Sequence, residues 1–173
     1  MTGKILVGFS VNPEINFVFD GESIENKIPL ESAVLSLAGS AFNTASALFN
    51  LDLKPVLVGL VDGEDDPFGM LMKALFRKVP FQSHLLPVLD KPSLAFIPIN
   101  GKTNRVIGWR GQIQKHSLKS AASEVAKIRD DSEAKIRLAL GITEGELELA
   151  KIFFQNRIGG INVLVPSMNI LEP

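Results

Sequence analysis

Residues 37–75 read LAGSAFNTASALFNLDLKPVLVGLVDGEDDPFGMLMKAL. Small residues cluster at Gly39 and Ser40, and Ala41, Ala45, Leu48 and Phe49 follow at helical spacing. That spacing predicts a helix over 40–52. The apolar run at 54–61, KPVLVGLV, reads as a strand buried on both faces. Asp66 and Pro67 then form an N-cap and first-position pair. Phe68, Leu71, Met72 and Leu75 carry a second helical repeat, so a helix is predicted over 67–77. Helix, buried strand and helix in succession mark an α/β sheet.

The same alternation continues on both sides of this stretch. KILVGFS at 4–10 is a first buried strand. INFVFD at 15–20 and NKIPLE at 26–31 are shorter and read as a small hairpin or a pair of edge strands. Downstream, SHLLPVL (83–89), SLAFIPI (93–99) and NRVIGW (104–109) read as strands. Ser117 opens a helix bearing Leu118, Ala121, Ala122, Val125 and Ile128, and AKIRLALGI at 134–142 is another strand. Thr143 and Glu146 make a capping box for a helix running to Arg157, and INVLVP at 161–166 is the last strand.

Composition bounds the function. The chain has 173 residues, 46% of them hydrophobic and 21% charged, which is a globular balance. Its formal net charge of −1 provides no field for nucleic acid or an anionic membrane. Cys is absent, which excludes disulfides and thiolate chemistry and suits a cytoplasmic setting. His84 and His116 are the two histidines, so a His-rich metal site is not expected. Asp62, Glu64, Asp65 and Asp66 read as a solvated turn with a helix cap, with a cation site as the alternative. No apolar run approaches the roughly 18–20 residues of a membrane helix. The N-terminus reads as a strand and not a leader, because Asn12, Pro13 and Glu14 interrupt it.

Gly39 and Ser40 raise the question of function. Helix N-termini present unpaired N–H groups and partial positive charge. Without bulky side chains a ligand can approach that backbone, and Asn43 on the first turn can donate or accept hydrogen bonds. Close helix–sheet packing is the competing explanation.

The order of motifs over 37–75 resembles the N-terminal signature of the ribokinase/PfkB family of carbohydrate kinases. The matching pieces are Ala38-Gly39 with Asn43-Thr44-Ala45, then Val58-Gly59, then Asp65-Asp66-Pro67-Phe68-Gly69. VNPEIN at 11–16 is similar to the Asn-Pro-x-Ile-Asp turn of the family's hexose-phosphate branch, and KPSLAFIPINGKTNRVI at 91–107 to its lid strands. ELAKIFFQNRIGGINVLVP at 148–166 is similar to a later helix–strand unit.

The resemblance implies a ribokinase-like, Rossmann-type α/β/α domain over 1–173, with lid strands at roughly 15–31 and 83–109, truncated on its C-terminal side. It implies that Gly39, Ser40 and Asn43 face the acceptor sugar or sugar phosphate, supported by Glu14 or Asn16. Trp109 and Arg110 would contact sugar from the lid, or form an exposed strand end. ATP and Mg²⁺ would serve the complete family member. Pairing of two copies through lid strands, or completion of the sheet by another chain, would supply the protein partner.

Several residues depart from the family pattern. The usual sugar-binding Asp is absent: Asn16 takes its place in one alignment and Glu14 in the other. The first glycine of the pair is Ala38, and Phe42 is bulky. Family members run to roughly twice this length, past the usual size of one domain. Their catalytic Asp lies in a Gly-Ala-Gly-Asp segment, where it takes a proton beside an anion hole. This sequence contains no Gly-x-Gly-Asp. NILE at 169–172 matches a metal-linked Asn-x-x-Glu motif of the family, but it follows the last strand too closely and is read as coincidence. The chain alone is therefore expected to be inactive as a kinase. The alternative is a non-catalytic protein that binds sugar or completes its sheet with another chain.

Overall fold

The first strand, β1 (Lys4–Phe9), lies in the middle of the molecule. The computed structural model describes residues 3–19, 31–63, 67–99, 106–155 and 160–167. From β1 the chain enters β2 (Asn12–Val18), returns as β3 (Ser32–Ala38) and runs into helix α1 (Ser40–Asn50). Strand β4 (Lys54–Asp62), helix α2 (Pro67–Phe76) and strand β5 (Gln82–Leu89) follow. Next come β6 (Leu94–Ile99), the short β7 (Ile107–Trp109) and helix α3 (Leu118–Ser132). Strand β8 (Ile136–Ile142), a 3₁₀ turn at Glu144–Glu146, helix α4 (Leu147–Phe154) and strand β9 (Ile161–Pro166) complete the described chain.

Two sheets result. The larger is wholly parallel, in the order β5-β4-β1-β8-β9. Its inner strands are continuous apolar runs because helices cover both faces. Ala41 and Ala45 of α1 and Met72 and Phe76 of α2 pack on Val7 and Leu57. On the opposite face, Val125 and Ile128 of α3 and Leu149 and Phe153 of α4 pack on Leu6, Phe9 and Val58. Phe153 meets Phe9 edge-to-face, with ring centroids 4.9 Å apart.

The smaller sheet has the order β3-β2-β6-β7. Its β2–β3 and β6–β7 pairs are antiparallel, and its β2–β6 pair is parallel. Most of its residues are half-buried or exposed.

Two buried arginines close the far end of α4. Arg129 donates to the Ile152 carbonyl at 2.7 Å, and Arg137 to the Phe153 and Gln155 carbonyls at 3.0 and 2.8 Å. Cations there satisfy the last helical carbonyls and oppose the negative end of the helix dipole.

The second sheet departs from its expected boundaries. β2 starts at Asn12, so NPEIN at 12–16 is strand and not turn; β3 and β6 flank it and take up its backbone hydrogen bonds. β3 occupies Ser32–Ala38, and the strand expected over 26–31 lies outside the described residues except for Glu31. β5, expected among the lid strands, pairs in parallel with β4 and belongs to the large sheet. Burial of Leu86, Val88 and Leu89 in the core shared with α3 places it there. Glu64, Asp65, Asp66 and the NILE segment lie outside the described residues, and Asp62 is buried at the end of β4.

Candidate functional site

The carboxyl ends of β1, β4 and β5 meet strands β6 and β7 of the second sheet. In open α/β sheets this is the edge where ligands bind. A cavity of about 440 Å³ lies there, between Phe9, Ser10 and Asn12 on one side and Ser93, Gly108 and Trp109 on the other. That volume suits a small organic molecule.

Trp109 and Arg110, singled out from the sequence, both line this cavity. Trp109 is 46% exposed, with its ring 6.2 Å from that of Phe96. Arg110 does not end in solvent. One of its guanidinium nitrogens donates to both carboxylate oxygens of Glu146, at 2.7 and 2.8 Å. Glu146 is buried and also accepts the Thr143 N–H at 2.8 Å, so the expected capping box is present. Its carboxylate serves the helix entrance and holds the second sheet to the first.

Gly39 and Ser40 lie at the start of α1, beside the cavity but not in its wall. Gly39 has φ 100°, in the region that favours glycine. A Cβ on it would run into the Ser10 carbonyl, which accepts the Ala41 N–H at 3.1 Å. The close neighbour of Gly39 is thus the β1–β2 connection itself. Ser40 approaches Gly141 at the end of β8, where φ is also positive. Asn43 is exposed, and its N–H donates to the Gly39 carbonyl at 2.9 Å.

Glu14 and Asn16, offered as alternatives by the sequence, stand together. They are two apart on β2 and so share a face with Asn12. Asn16 donates to Glu14 at 2.8 Å. Asn12 reaches the cavity wall, whereas Glu14 and Asn16 lie further along the strand. Sequence reasoning did not single out Ser10, Asn12 or Ser93, and it read Glu146 only as a cap. The Asn12–Glu14–Asn16 spacing on one strand was the available signal.

A second cavity of about 750 Å³ adjoins the first through Arg110. Lys115, Thr143, Glu144 and Ser167 line it.

No family model and no curated protein matches the sequence. Solved structures match the fold. Phosphofructokinase-2 from Escherichia coli, in complex with fructose-6-phosphate, superposes with a TM-score of 0.68 at 12% identity, over 96% of this chain and 55% of that one. The ribokinase of Giardia lamblia gives 0.68 at 17% identity, over 96% and 55%. The fold is ribokinase-like. A tetrameric inhibited form of the Escherichia coli phosphofructokinase-2 matches to the same degree, with a TM-score of 0.68 at 12% identity over 96% and 55%. This chain spans about half the length of the ribokinase-like structures it matches. Among the described residues no helix is long and apolar enough to cross a membrane.

Proposed function

We propose that this chain is the N-terminal, sugar-binding portion of a carbohydrate kinase, acting on a sugar or sugar-phosphate hydroxyl. The observation that carries this reading is the cavity at the carboxyl edge of the parallel sheet, roofed by a second sheet that brings Trp109 over Ser10 and Asn12. An indole face stacks on the C–H face of a pyranose or furanose ring. The hydroxyl of Ser93 already accepts the Gly111 N–H at 2.9 Å and keeps its own proton to donate. The Asn12 amide supplies donors and an acceptor beside it. In this reading Gly39 and Ser40, which approach Ser10 and Gly141, would with Asn43 meet the reacting hydroxyl of a sugar extending from the cavity.

The phosphoryl donor belongs elsewhere in this reading. Among the described residues no three carboxylates or imidazoles gather, and the sequence has no Gly-x-Gly-Asp. These residues do not fit Mg²⁺–ATP on their own. When bound, ATP supplies the γ-phosphoryl group and Mg²⁺ offsets its charge. What this chain contributes is the grip on the acceptor and the exclusion of water around it.

β9 bears on both halves of the proposal. It pairs with β8 only, among the described residues, and exposes Ile161, Val163, Leu164 and Val165. An apolar edge of this kind is a template for a further strand. We assign it to the remainder of the fold. A second, non-catalytic reading uses the same edge: a sugar-binding chain whose sheet another polypeptide completes. Sugar-dependent turnover of ATP by the completed assembly would exclude that second reading.

Trp109, the single tryptophan, reports on the site directly. Titration of its fluorescence with a panel of sugars is expected to give a saturable change, and a coupled ADP-release assay of the chain alone to give none. A flat response to every sugar would remove the sugar-binding reading. ATP turnover by the isolated chain would remove the division of labour.

A further inference from the structure

Charge is sparse in the cavity. Among the described residues that line it, only Arg110 and Glu146 are charged. They are spent on each other. The Arg110 side chain is 29% exposed and that of Glu146 only 4%, so the carboxylate sits inside and the guanidinium closes over it. The Thr143 N–H fixes the same carboxylate from behind. The adjoining cavity adds one cation, Lys115, and one carboxylate, Glu144. With Arg110 neutralised by Glu146, the described residues that line the two spaces carry no surplus positive charge.

We propose that Glu146 sets the substrate class of this site: by occupying Arg110 it selects a neutral, unphosphorylated sugar over a sugar phosphate. The proposal rests on the sugar-binding reading above. A phosphate dianion needs cationic or multiple N–H donors where it binds. To recruit Arg110, it would have to displace a carboxylate already held by two guanidinium contacts and a backbone N–H. The displaced carboxylate would then be buried without its cation. If it stayed, phosphate would face Glu146 across a short, poorly solvated gap, and like charges repel strongly there. A neutral sugar meets neither cost. Its hydroxyls find Ser10, Asn12 and Ser93, and its ring finds Trp109.

Glu146 is a positioning residue in this scheme, since it acts through Arg110. The conservative variant Glu146→Gln keeps the size of the side chain and an acceptor for Thr143, and removes the charge that occupies Arg110.

The test is a pair of Trp109 fluorescence titrations of the full chain, one with fructose and one with fructose 6-phosphate. In the wild type, fructose is expected to bind about tenfold tighter or more, the scale of one charge-assisted contact. In Glu146→Gln, the affinity for fructose 6-phosphate relative to fructose is expected to rise about tenfold, a ratio in which any loosening of the roof common to both ligands cancels. Tighter binding of the phosphate by the wild type would overturn the proposal and leave the sugar-binding reading standing. So would an unchanged preference in a folded Glu146→Gln variant. If that variant does not fold, the wild-type ratio decides alone. Silence toward both ligands would remove the sugar-binding reading, and this proposal with it.

Discussion

β1 and β2 are almost adjacent in the chain, yet they sit in different surroundings. In β1, Leu6, Val7 and Phe9 are fully buried, with helices packed on both sides. In β2 only Pro13 is buried, and the other residues are partly exposed. The parallel sheet derives its stability from two apolar layers. The second sheet derives its position from a few specific contacts: the turn at Ser10 and Gly39, and the Arg110–Glu146 pair. One sheet is scaffold, and the other roofs the cavity.

The largest test of that contrast compares two phenylalanines. Phe153→Ala removes a fully buried ring from the α4 side of the parallel sheet and is expected to cost about 3–5 kcal/mol. Phe96→Ala removes a half-buried ring from the second sheet and is expected to cost about 1–2 kcal/mol. Urea denaturation of both variants measures the difference. Equal losses would mean that the two sheets are equally packed.

Gly39→Ala strikes the junction between them. The added methyl meets the Ser10 carbonyl in a backbone conformation that alanine disfavours, for an expected cost of about 1–3 kcal/mol. Thermal denaturation reads this directly. An unshifted midpoint would show that the junction yields and that the second sheet is not pinned there.

The smallest effect belongs to His84 on β5. Burial lowers its pKa from the ordinary 6.5, against the opposing pull of Glu124 and Asp131 and with a minor lowering contribution from Lys4. As pH falls below 6.5 the unfolded chain takes up this proton before the folded chain does, so stability declines. His84→Gln is expected to flatten the fall in melting temperature between about pH 7 and 5. Identical slopes would show that this edge of the parallel sheet is as open to water as the second sheet.

The two regions also differed in how far the sequence disclosed them. β1, β4 and β8 are buried on both faces, so each reads as an unbroken apolar run. The Thr143–Glu146 box was visible because capping is local. β3 was not predicted at Ser32–Ala38. Its first residues are exposed, so burial imposes no strict apolar alternation. The small residue at Gly39 signals a close neighbour, but local sequence does not say which, and its Cβ space is taken by Ser10 of the preceding connection. Arg110 and Glu146 lie far apart in the chain, and no spacing rule joins them. Long-range ion pairs come from the fold and not from any motif within it.

The central place of β1 has a consequence for the order of folding. Lys4 pairs with Lys54, and Ile5 with both Pro55 and Ile136. Among the described strands β1 therefore gains no neighbour in its own sheet until β4 has been made, and its second flank stays open until β8 follows. Pairings this distant in sequence slow folding, because a long loop must close before any contact repays it. β2 and β3 need span only from Asn12 to Ala38. The β2–β3 hairpin of the second sheet can close while the parallel scaffold is still being made.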